Sequence, residues 1–106
     1  MLIRIAAEFI GTVFFVTGVA CNVLQGTGPF AIGLSLFVSI HLTGLISGAM
    51  YNPAVTLGAT IKTIHIKQKV QYYFIIEMLL YVVVQLIGAT LAGLICYIIN
   101  DDLPYI

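Results

Sequence analysis

The chain has 106 residues, of which 61% are hydrophobic and only 8% are charged, and four Lys and Arg balance four Asp and Glu. Soluble domains carry about 25% charged residues, so this chain has too few to cover a surface that faces water. The composition therefore excludes a soluble globular domain, a disordered chain and a nucleic-acid-binding protein. It predicts a protein surrounded by the lipid bilayer.

Three apolar stretches are long enough to cross a membrane, which takes about 20 residues of helix. They cover residues of about 4–24, 29–46 and 72–99. Their apolar residues are continuous rather than alternating with polar ones, which favours helices over the strands of a barrel. Glu8 is the only acidic residue of the first stretch. Because an ionised Glu is costly in lipid, we expect Glu8 to turn inward onto hydrogen-bond donors.

All four basic residues fall on one side of this arrangement. Arg4 precedes the first stretch, and the lysines lie in the segment 62–69 between the second and third stretches. The opposite side holds the uncharged turn 25–28 and the C-terminal residues 100–102. Since basic loops stay on the cytoplasmic side, this bias predicts a multi-pass membrane protein with its N-terminus on the cytoplasmic or equivalent side.

The two cysteines, Cys21 and Cys96, lie in apolar stretches. In that setting a cysteine behaves as a small buried hydrophobic residue, so we expect neither a disulfide nor a metal site from them. The sequence also contains no metal-ligand spacing, phosphate-binding loop or pair of nucleophile and base. It therefore predicts no cofactor, no metal and no enzymatic activity.

The segment 47–62 is too apolar for a surface loop and too short to cross the bilayer. Asn is a preferred N-cap and Pro is preferred at the first helical position, so Asn52 and Pro53 predict the start of a short helix over about 53–61. That helix is about 13 Å long, less than half of a bilayer core. We expect a re-entrant segment, in which residues 47–51 enter the membrane and a half-helix returns to the same side.

Such a half-helix has electrical consequences near the bilayer midplane. Its N-terminus carries about +0.5 elementary charge, which repels cations and protons but not neutral polar solutes. The Asn52 amide is expected to donate to a passing oxygen. The carbonyl groups of Gly48, Ala49, Met50 and Tyr51 are expected to act as a ladder of acceptors.

Three groups of residues resemble the first half of an aquaporin, a channel of the major intrinsic protein family. They occur in the family's order and cover nearly the whole chain: Ala7-Glu8-Phe9-Ile10-Gly11-Thr12, then Ser47-Gly48-Ala49 followed by Asn52-Pro53-Ala54-Val55-Thr56-Leu57-Gly58, then Tyr81 to Gln85 with Gly88-Ala89. The resemblance implies an all-α membrane protein. Its fold would be an aquaporin-like half-repeat of three transmembrane helices plus one re-entrant half-helix.

The resemblance also implies roles for individual residues. Asn52, Pro53 and Ala54 match the first signature motif of the family, which lines the pore. Ile32 matches a selectivity-filter position on the second helix. Glu8 and Gln85 match buried polar residues that hold the re-entrant loop.

The family fold has two inverted repeats whose half-helices meet end to end, and this chain matches one of them. Met50 stands where the family often has His. Three interpretations remain open from the sequence. The chain pairs with a second aquaporin-like half and passes water or small neutral solutes, or it is a transport-inactive structural subunit among other membrane subunits, or it is a fragment of a longer channel.

Overall fold

The computed structural model describes residues 1–101, and Asp102, which the sequence analysis places beyond the last helix, lies outside them. The described part contains four α-helices and no strand. Their bounds are α1 Leu2–Gln25, α2 Pro29–Ser47, α3 Pro53–Lys67 and α4 Tyr72–Asp101. Three of them, α1, α2 and α4 over 72–99, are long and apolar enough to cross a membrane. The predicted all-α class is therefore confirmed.

Local signals in the sequence explain where α2 and α3 begin and end. Pro29 opens α2, and Gly48 ends it in the left-handed conformation with φ of 88°. That conformation is accessible to Gly at no steric cost. At the start of α3 the Asn52 side chain accepts a hydrogen bond from the Ala54 N–H at 2.8 Å, and Pro53 follows as the first helical residue. Asn52 is therefore a side-chain N-cap.

Helix α3 ends six residues later than the sequence predicts, at Lys67 rather than at residue 61. It has 15 residues, so it is about 22 Å long rather than 13 Å. Lys62 suggested the end of the apolar run, yet residues 62–67 contain no Gly or Pro to break the helix. Gln68 ends it instead, in the left-handed conformation, by donating its N–H to Ile64 O at 2.7 Å.

Helices α1 and α4 share the largest helix–helix interface of the described structure and run parallel to each other. Arg4 pairs with Glu77 near their N-terminal ends at 2.8 Å, and the Cys21 and Cys96 sulfurs are 3.1 Å apart near their C-terminal ends. Between these pairs, a Cβ atom added at Gly88 would lie 3.3 Å from Thr12 Cβ. The helices approach this closely because Gly88 has no side chain.

The buried core is unusually polar. Among the residues whose burial the structure describes, seven polar side chains are buried, against six apolar ones. The polar ones are Glu8, Thr12, Ser39, Thr43, Ser47, Thr56 and Gln85. Large apolar side chains such as Leu45 and Phe30 instead point outward. This inversion is what a lipid environment requires, because lipid tails solvate apolar groups whereas polar groups must find partners inside the protein.

Candidate functional site

The segment between α2 and α3, residues 48–51, is the centre of the candidate site, and we call it the re-entrant loop. Gly48, Ala49 and Tyr51 all adopt the left-handed backbone conformation, with φ of 88°, 54° and 58°. For residues other than Gly this costs about 1–3 kcal/mol each, so the surrounding structure must enforce it.

Glu8 of α1 accepts hydrogen bonds from this loop. Its Oε1 accepts from the Met50 N–H at 3.3 Å, and its Oε2 accepts from the Tyr51 N–H. The Glu8 side chain is fully buried. Two donors from the loop backbone thus satisfy a carboxylate that lipid cannot solvate, and the same bonds fix the strained backbone.

Gln85 of α4 links Glu8 to α3. Its Nε2 donates to Glu8 Oε2 at 3.0 Å and to Thr56 Oγ1 at 2.8 Å. Gln85 lies near the midpoint of the 30-residue α4, so the first turn of α3 is level with the middle of the longest helix. Farther along, Thr60 of α3 faces the same cavity as Ile75 near the start of α4. Helix α3 therefore runs from mid-depth back towards the end of the protein where α1 and α4 begin.

The Tyr51 side chain points into the protein and not towards the exposed side of the loop. Its hydroxyl donates to Ser39 O at 2.6 Å and is also hydrogen-bonded to Thr43 Oγ1. Its ring stacks on Phe15 with centroids 5.7 Å apart, and it occupies the space where a side chain at Gly11 would be. Tyr51 thus contributes only its backbone carbonyl to any solute path.

Tyr81 holds the start of the loop from the other side. Its hydroxyl, on α4, donates to Ser47 O at 2.8 Å, and its side chain is only 1% exposed. Ser47 in turn accepts a hydrogen bond at Oγ from the Ala49 N–H at 3.2 Å. The last carbonyl of α2, which has no partner within its own helix, is therefore satisfied by α4.

The exposed side of the loop has a different character. Within residues 1–101, no donor reaches the four carbonyl oxygens of the re-entrant loop. Gly48, Asn52 and Ala54 are exposed, whereas Ala49, Met50 and Pro53 are half-buried. The Asn52 Oδ1 caps α3, so its amide NH₂ stays available as a donor. The segment thus presents four acceptors next to one donor.

Ile32 lies at the end of α2 opposite to the re-entrant loop. It lies half-buried in the first turn of α2, about 22 Å along the helix from Ser47, where the loop begins. Its assignment to a selectivity filter remains a prediction. Among residues 1–101, no group of three or more His, Cys, Asp or Glu is placed to hold a metal ion.

The sequence profile described as "Major intrinsic protein" matches residues 1–103. The chain belongs to the major intrinsic protein family. It is 32% identical to Aquaporin Z of Photorhabdus laumondii over 110 residues, which cover 93% of this chain and 44% of that protein. It is 38% identical to the Probable aquaporin NIP4-2 of Arabidopsis thaliana over 101 residues, covering 86% and 33% respectively.

The chain is also 34% identical to Aquaporin TIP1-1 of Zea mays over 109 residues, covering 89% of this chain and 39% of that protein. The chain thus spans less than half the length of these curated relatives. No solved structure matches it. Family membership and three apolar helices make it an integral membrane protein.

The sequence did not predict several residues that hold the re-entrant loop in place. They are Ser39, Thr43 and Thr56 together with the side chains of Tyr51 and Tyr81. A signal for some of them was present. Polar residues recur every four positions in α2, at 35, 39, 43 and 47, and in α4, at 77, 81 and 85. In an apolar helix this spacing marks one face that turns away from lipid.

Proposed function

We propose that this chain supplies one half of a channel for water or small neutral solutes, and that a second aquaporin-like half completes the pore. The observation that carries the proposal is that no donor of the described residues reaches the four carbonyl oxygens of the re-entrant loop, which immediately precedes Asn52. Backbone that is not helical is tolerated at membrane depth only where it is buried in protein or lines a wet cavity. A row of acceptors with an adjacent donor matches a solute that exchanges hydrogen bonds as it moves.

Charge supports a neutral solute over a cation. The N-terminal end of α3, whose free N–H groups carry about half a positive charge, begins at Asn52. Glu8 contacts the loop from its inner side, where its oxygens accept hydrogen bonds from the Met50 and Tyr51 N–H groups and from Gln85. A proton or metal cation at Asn52 would therefore be repelled, whereas water or a small alcohol would not.

A second half is part of the proposal because the described residues leave the loop open on one side. Asn52 and Gly48 are exposed, whereas Glu8 of α1 and Ser39 of α2 bond the loop from its buried side. A polar row open to lipid would be unfavourable. An opposing half-helix, contributed by another chain or by further residues of a longer one, would enclose it.

Water permeability tests this proposal directly. The protein is purified in mild detergent from its native membranes, together with any subunits that co-purify, and is reconstituted into liposomes. The rate at which the liposomes shrink after an osmotic step is then measured by stopped flow. We expect shrinkage several-fold faster than bare lipid for the wild type and for the lipid-facing control Leu45→Ala, and a loss of the gain for Asn52→Leu. Wild-type liposomes that shrink at the bare-lipid rate would contradict conduction.

One observation favours the alternative of a transport-inactive structural subunit within a larger membrane assembly. The terminal methyl group of Met50 lies beside Gly48, only 3.8 Å from where a Cβ on that glycine would be. The Met50 side chain therefore lies along the loop that would carry solute. If Met50 blocks the path, Met50→Ala gains permeability over the wild type in the same assay. If the chain is transport-inactive for a reason other than Met50, liposomes with the wild type and liposomes with Met50→Ala both shrink at the bare-lipid rate.

We further propose that the N-terminus lies on the cytoplasmic or equivalent side. Arg4 begins α1, Lys62 and Lys67 lie in the second half of α3, and Lys69 follows it. Since α3 runs towards the end where α1 and α4 begin, these cations share one end of the molecule. A membrane-impermeant, amine-reactive reagent added outside sealed cells should leave the lysines unmodified until the membrane is permeabilised. Modification of these lysines in intact cells would show the opposite orientation.

A further inference from the structure

Two cysteines that are 75 residues apart in sequence lie side by side in the fold. Cys21 is near the C-terminal end of α1 and Cys96 near that of α4, and their sulfur atoms are 3.1 Å apart, hydrogen-bonded to each other and not joined by a disulfide. Cys96 is buried and Cys21 half-buried. The spacing of the two residues in the sequence does not predict that they lie this close.

We propose that Cys21 and Cys96 form a reversible disulfide that joins α1 to α4 when the protein meets a peroxide. A disulfide bond is about 2.05 Å long, so the sulfurs need to approach each other by about 1 Å. Small side-chain rotations supply such a movement. The rest of the interface holds the two helices in register, through the Arg4–Glu77 ion pair at one end and the Glu8–Gln85 hydrogen bond between them.

The position of the pair fits this chemistry. Both thiols lie at the end of α1 and α4 that is opposite to Arg4. In the orientation proposed above this end faces away from the cytoplasm, towards compartments where disulfides form and persist. Cys21 also lines an open apolar groove of about 820 Å³ between α1, α2 and α4, together with Gly18 and Ile95. A small neutral oxidant can reach the Cys21 sulfur through this groove.

The reaction balances with hydrogen peroxide as the oxidant. The Cys21 sulfur attacks one peroxide oxygen, the O–O bond breaks, the thiol proton passes to the departing oxygen, and the products are a sulfenic acid and one water. The Cys96 sulfur then attacks the Cys21 sulfur, forms the S–S bond and displaces the sulfenic oxygen as a second water. Two thiols lose two protons and two electrons in total, and one peroxide becomes two waters.

The same two cysteines fit a metal site less well than a disulfide. Structural zinc takes four ligands, and two thiolates supply half of them. Among residues 1–99, whose side chains the structure describes, no further His, Cys, Asp or Glu joins the pair to make a group of three. Apart from the amide of Asn22, the side chains that line the groove with Cys21 are apolar or hydroxylic, such as Leu91 and Thr17.

Trypsin offers a direct test because its cleavage sites separate the two cysteines. The chain in liposomes is treated with hydrogen peroxide, quenched, denatured, blocked with N-ethylmaleimide and digested. Cleavage after the basic residues puts Cys21 in peptide 5–62 and Cys96 in peptide 70–106. We expect the two peptides to remain joined without reductant, to separate with dithiothreitol, and to carry no maleimide. The intact monomer should be lighter by two hydrogen atoms.

A matched control keeps the number of thiols constant. In the double variant Cys96→Ala, Tyr97→Cys, the second thiol moves to a position whose native side chain is 64% exposed, on another face of α4. We expect this variant to give no joined peptides within one chain. The proposal is overturned if wild-type protein carries maleimide on both cysteines after peroxide, if its only disulfides link separate chains, or if the control forms the internal link as efficiently. None of these outcomes depends on whether the protein conducts solutes.

Discussion

Gln85 donates a hydrogen bond to Glu8 at 3.0 Å although the two residues are 77 positions apart, and this bond joins α4 to α1. Through their other hydrogen bonds the two residues also connect α3 and the re-entrant loop. Glu8 Oε2 receives both this bond and one from the Tyr51 N–H, while Gln85 also reaches Thr56 on α3. A buried carboxylate with several donors is stabilised only while all of them stay in place. The pair therefore determines both the loop conformation and the depth at which α3 begins.

Removing the Gln85 amide should destabilise the fold strongly. In Gln85→Leu, Glu8 and Thr56 each lose a buried partner, and a hydrogen bond to a charged group is worth about 1.5–3 kcal/mol. We expect the free energy of unfolding, measured by SDS titration in mixed micelles, to fall by about 2–3 kcal/mol. The control Gln71→Leu makes the same chemical change at an exposed position before α4 and should have little effect. Equal losses in both variants would rule out a special role for Gln85.

A side chain at Gly11 should displace Tyr51. A Cβ there would overlap the Tyr51 ring and lie 2.7 Å from Thr43 Oγ1, so either the loop or α1 must move. We expect Gly11→Ala to lower the free energy of unfolding by about 1–3 kcal/mol, as for other overpacked sites. Gly93→Ala has open space around its Cβ and should instead raise stability by up to about 1 kcal/mol, through better helix propensity. Measured stabilities that change in the same direction in both variants would contradict this packing.

The Tyr81 hydroxyl should contribute one hydrogen bond to stability. Tyr81→Phe keeps the ring but leaves Ser47 O without its donor in a buried site. The expected loss is about 1 kcal/mol, because the net value of one intramolecular hydrogen bond is of this size. Tyr97→Phe removes the same atom from a side chain that is 64% exposed, and its SDS titration curve should overlay that of the wild type. A Tyr81→Phe curve that also overlays it would show that the bond adds nothing.

Charge at position 52 should alter cation exclusion without unfolding α3. In Asn52→Asp the new carboxylate still accepts from the Ala54 N–H, but it offsets the positive end of the helix. If the reconstituted assembly conducts, we expect a proton or sodium leak that the wild type lacks, read with a pH-sensitive or sodium-sensitive dye inside the liposomes. Asn52→Ser keeps a neutral cap and should stay tight to ions. If the Asn52→Asp variant leaks neither protons nor sodium, the positive N-terminal end of α3 is not what excludes cations.

The sequence by itself determined the environment and the local elements. Composition and three continuous apolar stretches specify a helical membrane protein, and the Asn52-Pro53 pair specifies a helix start, because both signals act within a few residues. The sequence predicts the end of this helix near residue 61, where the apolar run stops before Lys62, whereas α3 continues to Lys67. No local signal separates a basic residue inside a helix from one just beyond it.

Only the tertiary structure decided which polar groups meet. It turned the Tyr51 side chain inward, connected Gln85 to both Glu8 and Thr56, and brought Cys21 against Cys96. These contacts depend on the parallel packing and register of α1 and α4, which a helical period does not encode. Side-chain periodicity states which face of a helix avoids lipid, but the partner on that face is set by how separate helices pack in three dimensions.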